Sequence, residues 1–124
     1  TDHAPHSVEE KEVEFIYAPN GIIGLETAWS ISVMHLLDPG VLPLHRIIDK
    51  LSRQPRKILN LPVPELRAGE PANLTLFNTD EEWVFSMKEI RSKSRNSPWI
   101  GSRLRGRALA IYNKGRFVVN TLRG

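Results

Sequence analysis

The stretch Leu104-Arg105-Gly106-Arg107-Ala108-Leu109-Ala110-Ile111-Tyr112-Asn113-Lys114-Gly115-Arg116-Phe117-Val118-Val119-Asn120 decides the fold class. Asn113-Lys114-Gly115 is a Gly-ended turn between two runs rich in apolar and β-branched residues, which predicts an antiparallel hairpin over Leu104 to Tyr112 and Arg116 to Asn120. Upstream, Gly69-Glu70-Pro71-Ala72 is a turn leading into a strand signal, Asn73 to Phe77, and Trp83-Val84-Phe85 is a further short one. Leu61-Pro62-Val63-Pro64 is a stiff connector. Before it the periodicity is helical: Leu25, Ala28, Trp29, Val33, Leu36 and Leu37 predict a helix over 25–37 that Asp38-Pro39-Gly40 stops. Pro43 opens a second helix with Leu44, Ile47, Ile48 and Leu51 as its apolar stripe, and Gln54-Pro55 restarts a short helical turn ending near Leu59. Helices first and strands later make an α+β chain.

Composition narrows the function classes. The chain has 124 residues, 40% hydrophobic and 25% charged, enough for one modest core and too few for a complete large barrel. Zero Cys excludes disulfides, Cys-ligated zinc and thiol catalysis, and suits a reducing compartment. The longest uncharged runs, Phe15 to Leu25 and Thr27 to Leu37, fall short of the ~20 apolar residues of a membrane span. With no basic, apolar leader at the start, the expected compartment is the cytoplasm. The absence of an initiator Met leads us to expect that Thr1 is a cut end.

Between Ile90 and Gly124 stand nine Lys or Arg and no Asp or Glu. Two readings are open. One is an anionic-surface or nucleic-acid footprint. The other, which we rank first, is a solvated strand face, because Arg103, Arg105 and Arg107 alternate with Leu104, Gly106 and Ala108. At the other end, Asp2, His3 and His6 gather three metal- or proton-handling side chains around Pro5, which a zinc-type site or purely local hydrogen bonds would both explain. His35 and His45 fall on helices as packing or surface residues. Residues 4–19, acidic with Glu9, Glu10, Glu12 and Glu14, read as an active-site-type loop, in which residues 7–17 could serve as a lid.

Thr1-Asp2-His3-Ala4-Pro5-His6, followed by Ala18-Pro19-Asn20-Gly21-Ile22-Ile23-Gly24-Leu25-Glu26-Thr27-Ala28, closely resembles the dihydroorotases, cyclic amidohydrolases of pyrimidine biosynthesis. The resemblance continues through Ser92-Lys93-Ser94-Arg95-Asn96-Ser97-Pro98-Trp99-Ile100-Gly101 to the hairpin.

The resemblance implies the C-terminal segment of a metal-dependent hydrolase: residues 1–60 as the last strand, active-site loop and helices of a (β/α) barrel, and residues 61–124 as part of a small β-sandwich. It implies one or two zinc ions, with Asp2 both ligating metal and carrying the proton to and from the amide nitrogen, while His6, Asn20 and Gly21 bind the small-molecule substrate. The reaction implied is reversible cyclisation of N-carbamoyl-L-aspartate to dihydroorotate. The family's His-x-His pair and its other metal ligands are not found in this sequence, so the chain alone is expected to be inactive and to need the remainder of its parent. Asn20 stands where many relatives carry an aromatic residue. The rival expectation is an inactive structural partner of aspartate carbamoyltransferase; a homo-oligomer is a further way to cover the helices' apolar stripes.

Overall fold

A computed structural model describes residues 2–121; Thr1, with its expected cut end, and residues 122–124 at the close of the second segment lie outside the described residues. Three strands form one antiparallel sheet in the order β1-β2-β3: β1 Asn73–Val84, β2 Arg103–Asn113 and β3 Arg116–Val119. The hairpin turns at Lys114 and Gly115, both with positive φ (49° and 74°), as a two-residue turn of this kind requires; Gly115 adopts it freely and Lys114 at a cost. The two short strand signals at Asn73 and Trp83 belong to one long strand, because β2 pairs with both halves, Asn73 to Asn113 and Val84 to Arg103.

That pairing breaks register at two places that no spacing of residue types announces. Leu76 pairs with Ala110 but Phe77 with Ala108, and Asn78 with Arg107 but Glu82 with Arg105, so residues 79–81 bulge opposite Gly106 alone. Gly106 has φ +83°, and the alternation of β2 changes phase there. Leu104 and Arg107 are buried while Ala108 is exposed. The solvated-face reading is therefore corrected for Arg107, which is 8% exposed. Its guanidinium lies 4.6 Å from the Trp83 ring centroid and 3.5 Å from Glu81 Oε1, and its amide donates to Asn78 Oδ1.

The helical half differs from expectation in continuity rather than place. A one-turn helix, α1 Val8–Lys11, interrupts the expected loop, because Ser7 and Glu10 form a reciprocal cap. The helix expected over 25–37 begins at α2 Ala28–Ser32 and continues as a π-helical turn, Val33–Leu37, up to Pro39. The second run does not stop and restart. It proceeds from α3 Leu44–Ile48 through a π-helical turn, Asp49–Arg53, into α4 Gln54–Ile58, and Pro43 caps it from outside. Pro55 has no N–H to give; the wider turn ahead of it lets Gln54 N–H reach back to Asp49 O, so the chain passes the proline without breaking.

α2 crosses the sheet at Gly106. Ser30 Oγ and Trp83 Nε1 both donate to the Gly106 carbonyl, at 2.6 and 3.1 Å, and Trp29 Nε1 donates to Asn78 O at 2.9 Å. Beside this contact Ile23, Phe85, Ile90 and Leu104 form the buried cluster, with Ile31, Met34, Trp83 and Trp99 packed on it. Of the predicted helix stripes, Val33 and Ile47 are buried, whereas Leu51 is exposed. Among the described residues no helix is long and apolar enough to cross a membrane.

A Cβ on Gly106 would stand 2.9 Å from Val33 Cγ2 and 3.2 Å from Trp29 Nε1, in a backbone region that side chains avoid. Gly106→Ala is expected to cost on the order of 2 to 4 kcal/mol, read as a lowered urea midpoint of the intact protein; an unchanged midpoint would mean that α2 can back away freely. The Ser86–Glu89 turn gives a pH test. Burial raises the Glu89 pKa, but hydrogen bonds from the Ser86 hydroxyl and amide outweigh it and hold the carboxyl below its ordinary 4.5. Its contribution is therefore full above that ordinary value and lost as pH falls through the lower, folded one. Glu89→Gln is expected to be less stable than wild type at neutral pH and to converge with it in acid, checked by denaturation midpoints across pH.

Candidate functional site

Three separate segments meet at the site. Residues 2–6 run beside residues 20–24, joined by Ala4 N–H to Ile22 O at 2.8 Å. Gly24 N–H donates to His3 Nδ1 at 3.2 Å, and His6 Nε2 lies 3.1 Å from Asn20 O. Since Nδ1 of His3 accepts, that ring's proton sits on Nε2, and since a carbonyl only accepts, His6 donates through Nε2. His3 thus anchors the two segments to each other, through a bond that spans 21 positions rather than a local one.

Their close approach depends on Gly21. Its φ is +103°, and a Cβ there would come within 2.5 Å of Ala4 Cβ and 3.6 Å of Asp2 Oδ2. All four predicted site residues, Asp2, His6, Asn20 and Gly21, are thereby brought into one neighbourhood. Asp2 is exposed, and its Oδ1 accepts the His3 amide at 2.8 Å. His6 Nδ1 faces Glu10 Oε2 at 3.5 Å, an ion-pair distance when the ring is protonated. Glu10 is held there by the Ser7 cap, and Lys11 Nζ donates to Pro19 O, so α1 braces both segments. Next to it, hydrogen bonds from its own amide and from Ser7 hold the exposed Glu9 carboxyl below its ordinary pKa.

The third segment lies within Ser92 to Gly101, a stretch of the motif resemblance that implies no role for its residues. Ser94 Oγ donates to His6 O, Asn96 Nδ2 donates to Gly21 O at 2.9 Å, and Asn96 O accepts Ile23 N–H at 2.9 Å. Glu26 Oε1 in turn receives the amides of Arg91 and Ser92. The only sequence signal for these partners is their polar type inside a motif, because their contacts join residues 65 to 88 positions apart. Among the described residues no three His, Asp or Glu are gathered to hold a metal ion. An exposed carboxylate with one oxygen on a neighbouring amide is chemically fit to be one oxygen ligand of a larger set.

Comparison with known proteins bears out the resemblance. The chain is 45% identical over 119 residues to a dihydroorotase of Chlorobaculum tepidum, covering 96% of this chain and 27% of that one. It is 45% identical to a dihydroorotase of Syntrophus aciditrophicus (95% and 28%) and 38% identical to one of Acetivibrio thermocellus (96% and 28%). The chain thus spans about a quarter of the length of the curated relatives it matches. No family model matches it. Its fold is that of a segment of a D-hydantoinase (dihydropyrimidinase) from Thermus sp., with TM-score 0.77, 22% identity and coverage of 97% of this chain and 27% of that one. A second D-hydantoinase structure matches with TM-score 0.65 at 18% identity, covering 92% and 25%.

Gly21→Ala should push residues 2–6 away from residues 20–24. Amide exchange at Ala4 is expected to accelerate, and Ala4→Gly in the same background to recover part of the protection by removing the clash. Unchanged exchange in the single variant would show that the two segments tolerate a wider gap.

Proposed function

We propose that this chain is the C-terminal part of a zinc-dependent dihydroorotase, acting in the cytoplasm in the reversible cyclisation of N-carbamoyl-L-aspartate to dihydroorotate. The observation that carries the reading is the likeness to dihydroorotases over 96% of the chain, at 45% identity. The juxtaposition of the Asp2–His6 and Asn20–Gly21 segments supports it. In this reading residues 1–60 complete a (β/α) barrel, residues 61–124 belong to a β-sandwich, and the chain is inactive without the remainder of its parent.

Asp2 supplies one metal ligand to a set completed outside this chain. Bound zinc supplies Lewis-acid polarisation of the ring carbonyl and an activated water. Asp2, whose carboxylate is exposed, takes and returns the proton that must reach the amide nitrogen for the ring bond to break. His6 binds the substrate's carboxylate, and the backbone of Asn20 and Gly21 lines the substrate pocket. A carboxylate arriving at His6 competes with Glu10 for Nδ1.

The test is made on the intact protein. Asp2→Asn is expected to lower kcat/KM for dihydroorotate by a factor on the order of 10³, with bound zinc measured in parallel. Near-normal turnover of the variant would overturn the assignment of Asp2. A wild-type protein with neither zinc nor turnover would overturn the enzyme reading in favour of a structural relative, such as a partner of aspartate carbamoyltransferase.

A further inference from the structure

We infer that Asn96 and Ser94 are positioning residues for the substrate subsite, fixing the register between the segment that carries His6 and the one that carries Asn20 and Gly21. The inference rests on the dihydroorotase reading for its kinetic consequence and on the geometry alone for its structural one.

Each residue grips the peptide of a site residue rather than its side chain. Ser94 Oγ donates to the carbonyl of His6, and Asn96 Nδ2 to the carbonyl of Gly21, while the Asn96 amide donates to Ser94 Oγ at 3.1 Å. The same hydroxyl therefore joins the two grips. Ser94 is 6% exposed, so its hydroxyl is held in a packed place, and losing it would remove the side-chain partner of the His6 carbonyl. The base of this clamp is independently fixed, because Glu26, two residues beyond Gly24, receives the amides of Arg91 and Ser92 at 3.1 and 2.8 Å. Neither Ser94 nor Asn96 has a reacting role in the proposed chemistry. Their effect reaches substrate only through where the His6 ring and the 20–21 peptide stand.

Asn96→Leu is close in volume, adds no charge and removes the Nδ2 donor to the Gly21 carbonyl. Ser94→Ala removes only the hydroxyl. In the intact enzyme each is expected to raise KM for N-carbamoyl-L-aspartate about tenfold with kcat changed less than about threefold, the size of one lost hydrogen bond acting on binding. The double variant should fall short of the product of the two, since both act on one clamp. Amide exchange gives the second readout: Ala4, bonded to Ile22 O, should exchange faster in both variants while Phe85, bonded to Ser102 O, keeps its protection. Unchanged KM in an active enzyme, or unchanged Ala4 exchange, would overturn the inference. Loss of protection at Phe85 as well would also overturn it, marking general destabilisation. An inactive wild type in which Ala4 exchange still responds would count against the enzyme reading while upholding the clamp.

Discussion

The contact of α2 with the sheet at Gly106 is the constraint on which the rest of the structure depends. A single carbonyl takes hydrogen bonds from Ser30 and Trp83, and the missing side chain lets Val33 and Trp29 close to distances that a Cβ would forbid. The positive φ that only glycine adopts at low cost also breaks the β2 alternation. It thereby turns Arg107 inward onto Trp83 and Glu81. One residue sets the helix–sheet distance, the phase of the strand and the place of a buried cation. It also fixes where α2 begins, and so where residues 20–24, which lead into it, must lie.

From that placement the site follows by connection rather than by burial. Ile23 is 1% exposed and part of the core cluster, while its neighbours Gly21 and Asn20 reach outward to meet residues 2–6. A core residue within two positions of the site gives it a rigid base, and the hydrogen bonds from Asn96 to the Gly21 carbonyl and from the Gly24 amide to His3 tie the rest. Much apolar surface stays outside this arrangement: Phe15 is 95% and Leu66 89% exposed, and Leu76 and Phe117 are exposed on the sheet. Such surface in a chain that spans about a quarter of its relatives' length accords with a fold completed by more polypeptide.

What the sequence made legible were features whose cause is local. The hairpin turn is written in Asn113-Lys114-Gly115, and the end of the first helix in Asp38-Pro39-Gly40. The helical run from Leu44 to Ile58 reads as two pieces because a proline rule is local too, and the π-helical turn that relieves Pro55 depends on geometry no spacing announces. The long β1 reads as two fragments, since residues 79–81 break its period and only pairing with β2 joins the halves. At the site, Asp2, His6, Asn20 and Gly21 were found through motif resemblance. Periodicity could not have found them, and the grips of Ser94 and Asn96 were invisible because their partners are carbonyls, which every residue has.

The arginines of β2 show how pairing changes the meaning of a charge run. Read alone, Arg103, Arg105 and Arg107 are three cations on an alternating strand, a pattern that suits a polyanion. Folded, Arg103 meets Glu82 at 3.1 Å, Arg105 meets Asp38 at the end of the first helical run, and Arg107 meets Glu81. The carboxylates come from β1 and from the helix, distant in sequence, so the local excess of positive charge is answered by residues the run does not contain. The exposed Arg103–Glu82 pair adds little stability in solvent. The half-exposed Arg105 joins the helix end to the sheet, and Arg107, beneath an aromatic ring, is tied to the bulge that Gly106 creates. A basic stretch of this kind acts first as the complement of its own fold, and the net charge of +3 is what remains after that complement is made.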